Sequence, residues 1–218
     1  MSRYDPGMTE EFLKHNQAYI HKQNDDVQIL MQKDTGVGLA LGEAEPEDIP
    51  DHCVSLGLDS ASLYRKLMTS GAWKESLTFR VAYWQREKPE PYPLQGASIR
   101  KLSEEDIPFL LKHYIEPGVN ETYIRNAVER GMLGIFEEDQ LAGFIGSHDE
   151  GSMGMLVILP QYRGKHYAEA LETEMIRYLM DRGHFVYCQI ETDNDASIHL
   201  QNKLGMVWDE RIMYWVFK

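Results

Sequence analysis

Residues 153–179 constrain this chain more than any other stretch. "MGMLVILP" is an almost unbroken apolar run closed by Pro160, which has no N–H to give a sheet ladder, so the run reads as a strand that stops there. Ala168, Leu171, Met175 and Leu179 then recur at spacings of three and four, the single apolar stripe of an amphipathic helix. Between strand and helix, "QYRGKHY" turns on Gly164 and offers no evident capping side chain. A helix start leaves its first N–H groups without intrahelical partners and carries a partial positive charge, and a glycine there lets a ligand approach the backbone. The turn is therefore a candidate anion site suited to phosphate oxygens, with Arg163 and Lys165 adding charge. The competing reading is a plain tight turn with solvated basic residues. The spacing is neither that of a Walker loop nor GxGxxG.

The rest of the chain divides at "QREKPEPYPLQGAS", residues 85–98, where three prolines and a glycine interrupt the periodic patterns and predict an extended connector. The expected organisation is thus an N-terminal region at 1–85, a linker at 86–96 and a larger domain at 97–218. Before the connector the patterns predict a helix over 9–22 and strands at 27–33 and 37–43 joined through Asp34-Thr35-Gly36. A helix after Asp59 and a strand at 76–84 complete that part. After it they predict a strand at 97–102, helices within 104–114 and 120–131, and strands at 132–138, 140–148 and 153–159. The helix described above, a strand at 185–192, a helix at 196–205 and strands within 206–217 follow.

Composition excludes several function classes. With 22 Lys and Arg against 35 Asp and Glu, net −13, the chain has no visible source of the counterion release that drives binding to a phosphate backbone, so nucleic acid is not an expected partner. No apolar run approaches the roughly 20 residues of a membrane helix, and "MSRYDPGMTEEFLKHNQ" lacks the apolar core of a signal peptide. A cytoplasmic location with no membrane partner is the expectation. Cys53 and Cys188 form no CxxC or His/Cys ligand spacing, which argues for buried thiols and against zinc; no metal is expected.

A second constellation, "IETDNDASIHLQNKLGM" at 190–206, ends a strand in Asn194 and starts a helix that runs to Gly205. Together the two segments resemble the GNAT superfamily of acyl-CoA-dependent N-acyltransferases, whose motifs read Q/R-x-x-G-x-G/A and N-x-x-A/S-x-x-x-Y-x-x-x-G-F. Gln161 and Gly164 match the first; Asn194, Ser197 and Gly205 match the second. The resemblance spans about residues 97–218, and "LPQYRG" and "GHFVYCQIETDNDAS" are also similar to the C-terminal part of glycine N-acyltransferases.

The resemblance implies an α/β (α+β) fold with a mixed, mostly antiparallel twisted sheet flanked by helices, and a partial or degenerate copy of it before the connector. It implies acetyl-CoA or another acyl-CoA as cosubstrate and a small-molecule or peptide amine as acceptor, attacking the thioester directly. By the same resemblance the backbone of Arg163, Gly164, Lys165, His166, Tyr167 and Ala168, with Gln161 and Arg163 side chains, holds the pyrophosphate. Leu156, Val157 and Ile158 pair with the pantetheine arm where the strand splays from the one at 185–192. Asn194 and Ser197 lie on the other side of that arm.

Three positions depart from the family pattern. His166 replaces a Gly or Ala, Gln201 stands where a tyrosine protonates the leaving thiolate, and Met206 replaces Phe. A thiolate is a good leaving group without an acid, its thiol pKa being about 8.5; deprotonating the amine is the harder demand. The candidate bases are Glu150, Asp149 and His148 together at 148–150 and Glu191 at the end of the later strand, with Glu150 and Glu191 taken first. The alternative function is an acyl-CoA-binding or sensing module with weakened catalysis. The oligomeric state, a homodimer included, is left open.

Overall fold

The computed structural model describes residues 6–116 and 119–218. In chain order its elements are α1 (Pro6–Leu13), β1 (Ala18–Gln23), β2 (Val27–Gln32), β3 (Val37–Gly42), β4 (Ser55–Leu58), α2 (Ala61–Thr69), β5 (Glu75–Tyr83) and β6 (Ala97–Lys101). There follow α3 (Ile107–His113), α4 (Glu121–Arg130), β7 (Leu133–Glu137), β8 (Gln140–Ser147) and β9 (Met153–Ile158). The series closes with α5 (Tyr167–Met180), β10 (Tyr187–Glu191), α6 (Asp195–Leu204) and β11 (Val207–Phe217). They make two compact units: residues up to Tyr83 with Gln189–Ile198 and Val207–Lys218, and Trp84–Cys188 with His199–Met206. The proline-rich connector therefore opens the second unit, while residues 189–198 and 207–218 lie in the first.

In the first unit the strand order is β1-β2-β3-β4-β11-β5. Only β3 and β4 run parallel in this set. The helix expected over 9–22 is cut in two, because Asn16 and Gln17 take left-handed φ values of 49° and 51° that stop α1 and turn the chain into β1. β4 was not expected; four residues containing a glycine are too few to show a period. The expected strands within 206–217 are one, β11, seated between β4 and β5: Tyr214 pairs with Leu58 on one side and Thr78 on the other. Leu63 and Leu67 of α2 bury against Ile29, Leu56, Leu58 and Val216, each such side chain contributing roughly 1.5–3 kcal/mol. Ser60 caps α2, its Oγ accepting from Leu63 N–H at 3.2 Å.

In the second unit β6-β7-β8-β9 form an antiparallel series with β10 parallel beside β9. Ile107 and Leu110 of α3 and Ile124, Ala127 and Val128 of α4 share a buried cluster with Phe144 of β8 and Met155 of β9. α5 lies along β7, β8 and β9 with Leu171, Met175, Ile176 and Leu179 buried. The connector has no helix or strand from 84 to 96 and is tied to α5 by an ion pair of Lys88 with Asp181 at 2.5 Å. Arg177 also donates to the Pro89 carbonyl. Both units are thus mixed α/β, mostly antiparallel and flanked by helices. Cys53 and Cys188 are buried and unbridged. Among the described residues no helix is long and apolar enough to cross a membrane.

Candidate functional site

Strand β9 carries the first half of the site, through its ladder with β8 and a break in it. Toward β8 it is paired along its length, from Ser147↔Met153 to Gly143↔Ile158, with an irregularity opposite Ile145. Toward β10 it runs parallel, with Cys188 opposite Met153 within the second unit. The irregularity is a bulge at Met155, whose φ of 57° is unusual for a side chain of that size and re-aims the strand. Leu159 N–H donates to Ala142 C=O at 2.9 Å. By the alternation of a ladder Val157 then also faces β8, while the main chain of Leu156 and Ile158 faces the opposite edge. Of the three residues expected to meet a ligand arm, Leu156 and Ile158 thus turn their backbone away from β8 and Val157 turns its backbone toward it.

The turn after β9 carries the second half. Pro160–Tyr162 form one short helical turn, Arg163 is extended, Gly164 has φ 77°, and His166 takes the left-handed region at φ 61°, ψ 22° before α5 begins. The first bond of the helical ladder is Ala170 N–H to His166 C=O at 3.1 Å, so the N–H groups of Tyr167, Ala168 and Glu169 precede it. The His166 ring is turned to the first turn of α5, its Nδ1 2.9 Å from the Glu169 carboxylate.

The charge of this turn is more balanced than its sequence suggests. Lys165 Nζ is 2.7 Å from Glu137, which also accepts from the Tyr167 hydroxyl. The Lys165 ammonium and then the Tyr167 hydroxyl hold the Glu137 carboxyl below its ordinary pKa. Burial raises the Glu169 carboxyl, but Lys203 and His166 outweigh it and leave that group lowered as well. Arg163 Nε donates to Ile158 C=O at 3.2 Å, and the exposed Gln161 side chain stands at the same turn. Beside the turn is a cleft of about 560 Å³ walled by Tyr92 and Leu94 of the connector, Glu137, Lys165, His166 and Tyr167. Sequence reasoning treated the connector only as a linker and missed this wall.

Asn194 and Ser197 lie in the first unit, Gln161 to Ala168 in the second. Asn194 Oδ1 accepts Ser197 N–H at 3.1 Å, the cap of α6. Gln201 does not present its side chain outward at all. It is buried, and its amide nitrogen donates to both oxygens of Glu172 on α5 at 2.9 and 3.0 Å. Glu172, which no sequence signal singled out, is itself buried, and burial pushes its carboxyl up to about 7.

The candidate bases separate as well. Asp149 is buried and held by the half-buried Arg130 at 2.8 Å, whose guanidinium also donates to Ser147 C=O. Glu150 Oε1 accepts from Ser152 Oγ at 2.5 Å, and its backbone carbonyl accepts from the Tyr187 hydroxyl at 3.0 Å. His148 Nδ1 lies 2.6 Å from the Tyr123 hydroxyl of α4. Glu191 ends β10 in the first unit, half-buried, with its C=O accepting from Asn194 N–H at 3.0 Å.

A bulged strand that leads through a glycine turn into a helix start is thus what the second unit presents. The family model for acetyltransferases of the GNAT family matches residues 97–206, half of the chain, and the chain belongs to that family. A mycothiol acetyltransferase of Paenarthrobacter aurescens is 32% identical over 94 residues, 38% of this chain and 29% of that protein. The chain therefore matches less than a third of that relative's length. A solved Drosophila protein superposes over 92% of this chain and 78% of its own with a TM-score of 0.70 at 18% identity. A GCN5-related N-acetyltransferase-like protein of Streptococcus suis does so over 97% and 100% with a TM-score of 0.59 at 12% identity. The structural likenesses show the shared fold; the superfamily, rather than its glycine N-acyltransferase branch, is what the matches establish.

Proposed function

We propose that the chain transfers an acetyl or other acyl group from acyl-CoA to a primary amine, the amine attacking the thioester directly. The observation that carries this reading is the continuity of the bulged strand β9 with the turn at Gly164 and the start of α5. An extended pantetheine arm fits Leu156 and Ile158 as an added strand, and the diphosphate fits the N–H groups from Arg163 to Ala168. Lys165 and Arg163 serve the diphosphate by exchanging their present partners, Glu137 and the Ile158 carbonyl, for its oxygens. In a site of this kind the N–H groups of the bulged strand also face the oxygen on which negative charge develops. The turn at 148–150 supplies the group that removes the ammonium proton, with Glu150 as its carboxylate. No metal is part of the scheme.

The reading that the chain only binds acyl-CoA has one observation on its side, the engagement of Gln201 with Glu172 where the family has an acid. Turnover separates the two: acetyl-CoA is expected to raise the melting temperature while adenosine does not, and thiol is released when an amine panel is added. A protein stabilised by acetyl-CoA that acylates no amine is the binding module. Glu150→Gln is expected to lower turnover about tenfold at pH 7 with acyl-CoA affinity kept. The gap closes as pH nears the amine pKa of about 10.4 and free amine becomes abundant. Rates measured against pH for Glu150→Gln and Glu191→Gln check this; loss confined to Glu191→Gln moves the proton acceptor to the end of β10.

A further inference from the structure

Between Trp84 and Gly96 the chain forms neither helix nor strand, yet its course is set by its own prolines and by bonds to its neighbours. Tyr92 stands between Pro91 and Pro93, and a residue ahead of a proline is confined to extended backbone. Trp84 N–H donates to Val186 C=O at 2.9 Å, Lys88 pairs with Asp181, and the Pro89 carbonyl accepts from Arg177. Gly96, at φ 70°, then turns the chain into β6. Tyr92 and Leu94, both half-buried, line the cleft of about 560 Å³, a volume within the roughly 300–1,000 Å³ of small-molecule sites. Both precede residues 97–206, so this wall lies outside the family pattern.

The remaining walls differ in charge. The hairpin joining β7 to β8 supplies Glu137 and Glu138, and the turn supplies Lys165 and His166. Glu137 is engaged by Lys165 and by the Tyr167 hydroxyl, while Glu138 is exposed. His166 turns Nδ1 to Glu169, and among the described residues nothing bonds its Nε2. Lys203 of α6 pairs with the same Glu169 and comes within 3.4 Å of that Nδ1. With one N–H given to Glu169, the protonated imidazole keeps the other for an anion.

Resting on the acyl-CoA part of the reading above, we propose that this cleft holds the nucleoside end of the cosubstrate, its adenine against Tyr92 and Leu94 and its ribose phosphate on His166. Lys165, His166 and Tyr167 belong both to the diphosphate turn and to the cleft, so the group beyond the diphosphate enters the cleft without a break. That group is an aromatic base with an exocyclic amine, carried on a sugar phosphate. A π-face suits the tyrosine ring and the leucine side chain. The amine suits the Glu138 carboxylate, which at the same time repels phosphate and leaves it to the turn. The connector thereby makes the chain read the nucleotide as well as the thioester arm. The gain is an increment on a ligand held by its diphosphate, and adenosine alone is too weak to register.

Calorimetric titration of the whole chain with acetyl-CoA, with its dephospho form, which lacks the ribose phosphate, and with S-acetyl-phosphopantetheine, which lacks the nucleoside, tests this. Tyr92→Ala is expected to weaken acetyl-CoA about tenfold and to leave S-acetyl-phosphopantetheine unchanged, and Tyr92→Phe to keep the parent affinity. His166→Gly suits the left-handed φ of 61° and is expected to lose about fivefold on acetyl-CoA and nothing on the dephospho form. In the parent labelled with carbon-13 tyrosine, adenosine 3′,5′-bisphosphate is expected to shift the ring signal that Tyr92→Phe lacks, a readout that needs no destabilising variant. An unshifted Tyr92 signal in a parent that binds acetyl-CoA, or a Tyr92→Ala loss that is absent or equal on S-acetyl-phosphopantetheine, overturns the pocket. Equal loss of His166→Gly on both forms of the cosubstrate assigns that ring to the diphosphate and overturns its ribose-phosphate role. A parent that binds no acetyl-CoA overturns the acyl-CoA reading and the pocket together, whereas one that shows these variant effects but acylates no amine keeps the pocket and loses only the transfer.

Discussion

Gly164→Asp is expected to weaken acyl-CoA binding at least 100-fold, about 2.7 kcal/mol, and to abolish the thermal shift that acetyl-CoA causes. The argument is electrostatic. A Cβ at position 164 meets nothing within 4 Å, so the new carboxylate clashes with no protein atom. It stands instead at the helix mouth, facing the N–H groups that a diphosphate needs, and repels the ligand's own charge. The positive φ of 77° strains any residue with a side chain. Gly164→Asn is the control: it carries the same backbone strain, is equally tolerant of the left-handed region and has no charge. Calorimetric titration of both variants with CoA checks the assignment, and an Asp variant that binds like the Asn variant removes the turn from the ligand site.

The second large effect concerns stability. Glu172 is fully buried, and its carboxyl is pushed up to about 7 in the fold from an ordinary 4.5. Folding therefore favours the protonated form. Below pH 4.5 both folded and unfolded chains are protonated and the group is neutral in the balance. As pH rises from about 4.5 to 7 stability falls, by about 3 kcal/mol in all, and it stays lower above that window. Glu172→Gln removes the slope. Among the described residues the Gln201 Oε1 has no partner, and an amide at 172 can donate to it while accepting from the Gln201 nitrogen. Urea unfolding at pH 5 and 8 is expected to show Glu172→Gln about 3 kcal/mol more stable than the parent at pH 8 and near it at pH 5. Gln201→Ala should have the opposite effect at pH 8, losing about 3 kcal/mol as it strands a buried carboxylate. An effect of Gln201→Ala on turnover is then read only in protein shown to be folded.

What was legible in the sequence was local. The strand, Pro160, Gly164 and the apolar stripe of α5 follow one another within 27 residues, and the N-caps Ser60, Asn120 and Asn194 stand next to the helices they start. The ion pairs that quiet the turn were not legible, since Lys165 and Glu137 are 28 residues apart and Lys203 and Glu169 are 34 apart. The bulge at Met155 was hidden for another reason: a non-glycine residue in the left-handed region carries no compositional mark. The engagement of Gln201 was not legible because its partner, Glu172, lies on a different helix. Gly154 reads as an ordinary strand glycine until the ring of His148 is seen resting on it.

The place of β11 has a consequence for the order in which the protein can be completed. A ribosome makes β4 and β5 within the first 83 residues, yet the strand that belongs between them is residues 207–217. Until then each presents a bare edge, with unpaired N–H and C=O groups open to any passing strand. The second unit's series β6-β7-β8-β9 is assembled from neighbours in the chain and can close early. The unit that is synthesised first is therefore the one that must wait longest, and its exposed edges are where association with a chaperone or with another nascent chain competes with folding.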